Sequence, residues 1–362
     1  MTHSSVTYQE LSDLEADFDD FNVELLRIQV QRETALYARR AALVRRIQGF
    51  WPLVFEQAPP EVDQYIQPTD AAVLLSALQS IDVTRFEAEK GDPRSVAIKF
   101  TFAENEYFED TVLEKRFWYR QQAPSAEELK TIAEKNEKAK AKRAKSGKTT
   151  RDDEDDEETP ENWAGLVSEP VPIKWKEGKD LTNGLLDLAV KVWQDVVSGK
   201  DGKESKTENQ TALEAQLEKT AVGGVSFFNW FGYVGRRVTA EESEVATAQD
   251  NKARAERAVK WTEKAEKYSS AADAMEEDVE DEEDEEEDDE DDDDEEDDED
   301  YAFEIFADGD TVALGLAEDL WPNAIKYFYE AQEQDTLSEL DFEGESDEEE
   351  EEEAPPLKKQ KN

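Results

Sequence analysis

The sequence predicts an α+β fold: a long N-terminal dimerisation helix, then an antiparallel β-sheet/helix lobe interrupted and followed by disordered acidic tracts. Three observations predict it. Apolar residues Leu11, Leu14, Phe18, Phe21, Leu25 and Ile28 recur at spacings of 3 and 4, the seam of a helix that packs lengthwise on another helix. From Ile81 the apolar period drops to two, the period of a strand with one buried face. From Glu276 to Asp300 only Val279 is not acidic, and such a run repels itself and cannot fold alone.

The first element is the helix. Neither Pro nor Gly interrupts Val6 to Gln48. The stripe shifts phase by one residue between Ile28 and Leu36, then resumes through Leu43, Ile47, Phe50 and Val54. A rod of this size runs to about 65–70 Å, more than a lobe of about 15 Å radius can cover. The seam therefore needs a second copy of itself. Leu11, Leu14, Phe18, Phe21, Leu25 and Ile28 are the expected dimerisation residues of a homodimer.

Pro52 forces a break after Gly49 and opens a new turn, which Pro59-Pro60 ends. Thr69 or Asp70 is placed to cap a helix reaching Gln79. Ile81 and Val83, a turn at Gly91-Asp92-Pro93, and Val96, Ile98, Phe100 and Phe102 read as a hairpin. Val112–Tyr119 reads as a third strand. Val171–Trp175 reads as a fourth, confined to a sheet edge by Pro170 and Pro172. Gln121 to about Glu161 is a charged insert: nine basic residues between Lys130 and Arg151, then seven acids in a row, best read as a solvated loop. Leu185–Val197 has the pattern of an amphipathic helix. A polar stretch leads to Ser226–Phe231, whose aromatic rings must be buried or covered by a partner. Thr239 and Glu242 form a capping box for a helix reaching about Tyr268. That helix lacks an apolar stripe, so it is expected to be exposed and marginal. After the acidic run, Tyr301–Phe306 restarts order as a short strand or turn, and Thr311–Gln332 reads as helical with a break near Pro322.

The expected organisation is therefore a dimerisation helix over 1–57, lobe over 58–120 and 162–235, and a flexible insert over 121–161. An exposed helix and acidic insert fill 236–300, the C-terminal part of the lobe 301–335, and an acidic tail with a basic end 336–362.

Charge narrows the function. With 42 Lys and Arg against 94 Asp and Glu, the net charge is −52. Phosphate polymers and anionic membranes would be repelled, and basic partners favoured. The chain has no Cys and one His, His3, which removes disulfides, thiolate chemistry and His-rich metal sites. No apolar run is long enough for a membrane span and no signal-peptide core is visible, so an intracellular protein is expected. G-x-S-x-G, GxxxxGK[ST] and HExxH are all missing. The expectation is a non-enzyme with no cofactor and no metal, because the acidic run lacks the Gly and ligand spacing of a calcium loop.

Several blocks resemble the nucleosome assembly protein (NAP/SET) family of histone chaperones. Arg45-Arg46-Ile47-Gln48-Gly49-Phe50-Trp51 resembles the family's I-P-x-F-W block, with Gln48 where Pro is usual, which implies a straighter run into Phe50. Glu104-Asn105-Glu106-Tyr107-Phe108 resembles E-N-P-Y-F. Ile173-Lys174-Trp175-Lys176-Glu177-Gly178-Lys179-Asp180-Leu181-Thr182 resembles I-K-W-K-x-G-K-D-L-T. Ser226–Phe231 is similar to S-F-F-x-W-F, and Glu318–Phe328 to D-I-W-P-N-P-x-x-Y-Y. Within the family the SET branch fits best, in particular the fungal SET-like, vacuolar-protein-sorting-named chaperone that partners a histone acetyltransferase. The inserts at 121–161 and 236–300 depart from that pattern.

The resemblance implies a NAP-like, headphone-shaped homodimer in the nucleus that binds core histones on an acidic underside. The tetramer-forming histone pair, H3-H4, and also the second core-histone pair are the implied clients, and an acetyltransferase the implied recipient. Glu318 and Asp319 match a paired acidic position on that surface; Glu330 and Glu333 extend it by spacing and charge. Lys358, Lys359 and Lys361 resemble a nuclear signal. A non-catalytic inhibitor of a phosphatase and a coiled-coil scaffold are the alternative functions.

Overall fold

The computed structural model describes residues 8–146, 162–200, 205–220, 225–271 and 303–334. Helix α1 (Tyr8–Val44) has 37 residues, about 55 Å of rod. It ends sooner than its composition allows. Arg46 and Ile47 donate to carbonyls only three residues back, which tightens the last turn. Gly49 then takes φ 72, and its missing Cβ makes that left-handed conformation accessible. The expected straight run into Phe50 is thus replaced by a corner. Helix α2 (Phe50–Glu56) leaves it with Phe50, Trp51, Val54 and Phe55 buried.

After the short α3 (Pro60–Asp63), α4 (Pro68–Ala77) starts at Pro68 rather than after a Thr69 or Asp70 cap. Asp70 lies inside the first turn. Its carboxylate accepts the Gln67 N–H at 3.0 Å, the Ser226 hydroxyl at 2.6 Å and the Phe227 N–H at 2.8 Å. Burial pushes the Asp70 carboxyl above its usual range, while these donors pull it down. One side chain therefore caps α4 and anchors the aromatic block to it.

The sheet is an antiparallel meander in the order β1-β2-β3-β4. Strands β1 (Leu78–Thr84), β2 (Val96–Phe102) and β3 (Val112–Gln122) follow the alternating pattern. The fourth strand does not. β4 is Trp163–Ser168, paired with Phe117–Gln122 of β3. The segment expected as a strand, 171–175, forms no ladder: it has an isolated bridge between Phe108 and Trp175, and the Val171 N–H donates to the Phe231 carbonyl at 2.8 Å. Pro170 and Pro172 lack the N–H groups a ladder needs. Helix α5 (Ala126–Ser146) also replaces the expected loop: Ser125 and Glu128 cap it reciprocally, and its Ala, Lys and Glu residues favour helix.

Helix α6 (Leu185–Val197) forms as its pattern predicts. Helix α7 (Glu208–Thr220), read as a polar connection, inserts Leu213 fully beside Leu185, Ala189 and Val192. One apolar residue at the right turn suffices to dock it. Phe227–Gly232 closes into a 3-10 turn whose rings are all buried. Phe227, Trp230 and Phe231 meet Phe100 edge-on at 5.9–6.2 Å, a favourable quadrupole arrangement.

Helix α8 (Ala240–Ala271) opens with the predicted Thr239–Glu242 box, but it is not free in solvent. Gln121 N–H donates to Ser243 Oγ, Thr247 Oγ1 to Gln121 Oε1, and Ala246 is buried. Farther along, Arg257 forks onto Asp13 at 2.8 and 2.9 Å, and Arg254 reaches Asp20 at 2.7 Å. Polar contacts replace the apolar stripe that its sequence lacks. Residues 303–306 form turns, not a strand. A helix over Gly309–Leu314, a π-helical turn over Gly315–Leu320 and a final helix over 324–334 complete the lobe.

Lys115 sits on the inward face of β3 between Leu113 and Phe117 and is fully buried. Its ammonium donates to the carbonyls of Glu169, Phe231 and Tyr233 at 3.0, 3.1 and 2.9 Å. It thereby stitches the sheet to the chain before and after the aromatic turn. Burial lowers its pKa from 10.5 to about 7, opposed by the charges of Glu304 and Glu169. The unfolded chain keeps this proton to higher pH than the folded one, so this group's contribution to stability rises from about pH 7 toward pH 10. Replacing Lys115 by Met strands three carbonyls and should cost roughly 3 kcal/mol in urea unfolding at pH 7. Between about pH 7 and 9 the wild type should gain stability relative to Lys115→Met.

Candidate acidic binding surface

Carboxylates far apart in sequence meet where α3, the π-helical turn and the final helix come together. Val62 is fully buried and its Cγ2 packs at Gly315, which carries Glu61 alongside. Across this contact lies Tyr327, whose hydroxyl donates to Asp319 at 3.0 Å. Asn323 donates to the other oxygen of Asp319 at 2.8 Å. The Tyr327 phenol is pushed up to about 12, first by burial, then by the Asp319 hydrogen bond and the charges of Asp319, Glu330 and Glu61. Asp319 is bonded to the phenol, and the charges of Glu330 and Glu61 lie near enough to raise it as well. Nearby, Tyr65 donates to Asp308 and is likewise raised to about 12.

The four acids expected from sequence divide between two faces. Glu318 turns away from Asp319 and pairs with Arg85 at 2.8 Å, with its own side chain half exposed. Asp319 and Glu330 lie together on the Tyr327 face, Glu330 also 3.7 Å from Lys326. Glu333 is exposed one turn farther along. Glu61 and Asp308 carry no local signal in the sequence, because an acid in a four-residue helix or just before a short one falls in no recognisable pattern.

A second concavity lies under the lobe, an open groove of about 1350 Å³ between the C-terminal half of α1 and the free edge of β1. It is not an acidic surface. Glu33, Asp82 and Glu318 line it together with Arg40, Arg45, Arg85 and Lys99. Arg40 is held between rings, 4.4 Å from Trp321 and 4.7 Å from Tyr37, and donates to the Pro322 carbonyl at 3.1 Å. This cation–π stack fastens α1 to the C-terminal run. Among the described residues no group of carboxylates or histidine is arranged to hold a metal ion.

The seam residues Leu11, Leu14, Phe18, Phe21, Leu25 and Ile28 all lie on α1 and are 48–61% exposed. Leu36, Leu43 and Ile47 continue the exposed stripe. Among the described residues of the same chain, none covers them. Lys358, Lys359 and Lys361 lie outside the described residues, as do the acidic runs at 152–158, 276–300 and 341–353.

Residues 6–146 match the family model for nucleosome assembly protein. A Schizosaccharomyces pombe protein named as a nucleosome assembly protein is 32% identical over 174 residues, 48% of this chain and 59% of the relative. Protein SET of Drosophila melanogaster is 31% identical over 150 residues, 41% of each chain. The chain thus spans about half the length of the curated relatives it matches. A crystal structure of a Ccp1 mutant aligns with 91% of this chain and 97% of its own, at 23% identity and a TM-score of 0.48. The Vps75 histone chaperone aligns with 90% of this chain and 98% of its own, at 16% identity and a TM-score of 0.42.

Asp319→Asn removes a charge and weakens the acceptor at Tyr327. The Tyr327 phenol should then titrate well below its present value of about 12, while Tyr65 stays unchanged. Carbon-13 tyrosine NMR across alkaline pH reads both.

Proposed function

We propose, for a chain whose residues 6–146 belong to the nucleosome assembly protein family, that it is a homodimeric histone chaperone acting in nucleosome assembly in the nucleus. The observation that carries this reading is the convergence of Glu61, Asp319 and Glu330 around Tyr327 on a lobe attached to an uncovered helical seam. A histone is a compact, strongly cationic body. Clustered carboxylates on a folded ledge attract it at long range and hold it by many weak pairs. The acidic sequence at 276–300 and 341–353 adds charge without demanding a fixed geometry.

In this reading Asp319, Glu330 and Glu333 face the histone, and Glu318 contributes when Arg85 shares it. Histone H3-H4 is the favoured client and an acetyltransferase the recipient; both rest on the resemblance to the SET branch. The protein performs no chemistry. It screens histone charge until DNA, with its denser phosphates, takes over. Lys358, Lys359 and Lys361 serve as the nuclear signal.

Binding of purified core histones should weaken steadily as salt rises from about 0.1 to 0.5 M, as screened charge pairs require. Glu61→Lys, Asp319→Lys and Glu330→Lys together should lower affinity by about tenfold or more at 0.15 M salt. Salt-independent binding, or a triple variant with native affinity, would contradict the electrostatic ledge. The dimer is tested separately: wild type should sediment as a dimer at micromolar concentration, and Phe18→Asp with Phe21→Asp as a monomer with its lobe still folded.

A further inference from the structure

The two edges of the sheet are treated differently. On β4, the Ser168 N–H donates to the Val234 carbonyl at 2.7 Å, and the Leu166 carbonyl accepts the Tyr233 hydroxyl at 3.3 Å. On β1, the Trp321 indole N–H donates to the Ile81 carbonyl at 3.0 Å. The backbone groups of Ile81, and by alternation those of Val83, therefore point away from β2. Among the described residues, none bonds to the Ile81 N–H or to the N–H and carbonyl of Val83. An edge left open in this way accepts another strand, which is why folded proteins cover or charge their edges.

The groove of about 1350 Å³ runs along this edge. Its far wall is the face of α1 that carries Val30, Tyr37, Ala41 and Val44. That face is not the seam: Tyr37 follows Leu36 and Val44 follows Leu43, each step being about 100° round the helix. The groove is also cationic relative to the chain. Arg40, Arg45, Arg85 and Lys99 line it against Glu33, Asp82 and Glu318, on a protein of net charge −52. Glu318 is engaged by Arg85, and Asp82 lies 3.6 Å from Lys99, whereas Arg45 is exposed. An extended segment that alternates apolar and acidic residues suits such a site: open backbone on one wall, apolar side chains on the other, and cations at the rim.

We propose that residues 338–343 of the same chain dock in this groove as a fifth strand on the free edge of β1. Leu340 and Phe342 would face the apolar wall, and Glu339, Asp341 and Glu343 the cationic rim. The described residues end at Gln334, whose side chain accepts from Gln57 at 2.9 Å. Gln57 follows helix α2, whose first residues, Phe50 to Pro52, line the groove. Seven residues of helix cover about 10 Å, and the extended chain from 335 to 338 spans about 13 Å. The segment therefore begins within reach of its site. Six extended residues match β1, which has seven. Backbone pairing supplies the affinity and the alternating side chains the selectivity, as in other cases of strand addition, and tethering raises the local concentration of the segment. Docking at 343 starts the acidic run that follows it beside the lobe. The proposal does not depend on the histone reading.

Hydrogen exchange in the full-length protein tests it at the Ile81 and Val83 amides. Both should be protected in the wild type, and Leu340→Asp with Phe342→Asp should speed their exchange by about tenfold or more. Amides of β2 and β3 should keep their rates, which shows that the variant is folded. Arg45→Glu with Lys99→Glu should act in the same direction through the rim. A synthetic peptide of residues 336–345, added to the Leu340→Asp, Phe342→Asp variant, should restore protection at Ile81 and Val83, and a scrambled peptide should not. Fast exchange at both amides in the wild type would overturn the proposal. So would protection that survives the Leu340→Asp, Phe342→Asp change, because the occupant would then be something other than this segment, such as a second copy of the chain.

Discussion

Helix α1 cannot cover its own apolar stripe, and the rest of the molecule is arranged around that constraint. A row of leucines and phenylalanines half exposed along a rod of 37 residues loses a large hydrophobic contribution unless another surface removes it from water. The lobe does not supply that surface. It grips the C-terminal half of α1 from one side through Arg40 and its flanking rings. Helix α8 grips the N-terminal half from another side through Arg254 and Arg257. Both contacts leave the seam open. The fold therefore leaves the stripe facing outward along the rod.

Inside the lobe, polar groups fasten what the aromatic rings fill. Asp70 joins α4 to the start of the aromatic turn, and Lys115 joins β3 to its end. Glu304 accepts the N–H groups of Val234 and Gly235 and brings residues 303–306 onto the same turn. Each is a charged side chain hydrogen-bonded to backbone groups, Asp70 also to the Ser226 hydroxyl, and none of them to an opposite charge. Such contacts constrain geometry more tightly than ring packing does, because an unsatisfied buried donor or acceptor is costly whereas a shifted ring is not.

Net charge alone does not locate the binding surface. The groove beneath the lobe has a volume of about 1350 Å³, yet its acids and bases nearly balance. Around Tyr327 the carboxylates Glu61, Asp319 and Glu330 outnumber the nearby cation Lys326. A cationic client distinguishes the two by local potential, which falls off within about 10 Å at ordinary salt. In the proposed reading, the acidic ledge rather than the groove is where a cationic client would gain most.

The sequence by itself determined the long helix, the hairpin and third strand, helix α6, the capping box of α8 and the need to bury Ser226–Phe231. All of these are local: they depend on period, caps and composition within a few turns. It also carried the family resemblance, because that resides in short contiguous blocks. Tertiary structure decided the rest. β4 is Trp163–Ser168 because β3 offers its edge there and the two prolines deny it to 171–175. α7 and α8, weak by pattern, are held by scattered docking points such as Leu213, Ser243 and Arg257. The acidic ledge and the inward Lys115 arise only when distant segments meet. No local rule signals a carboxylate or an ammonium whose partners lie more than a hundred residues away.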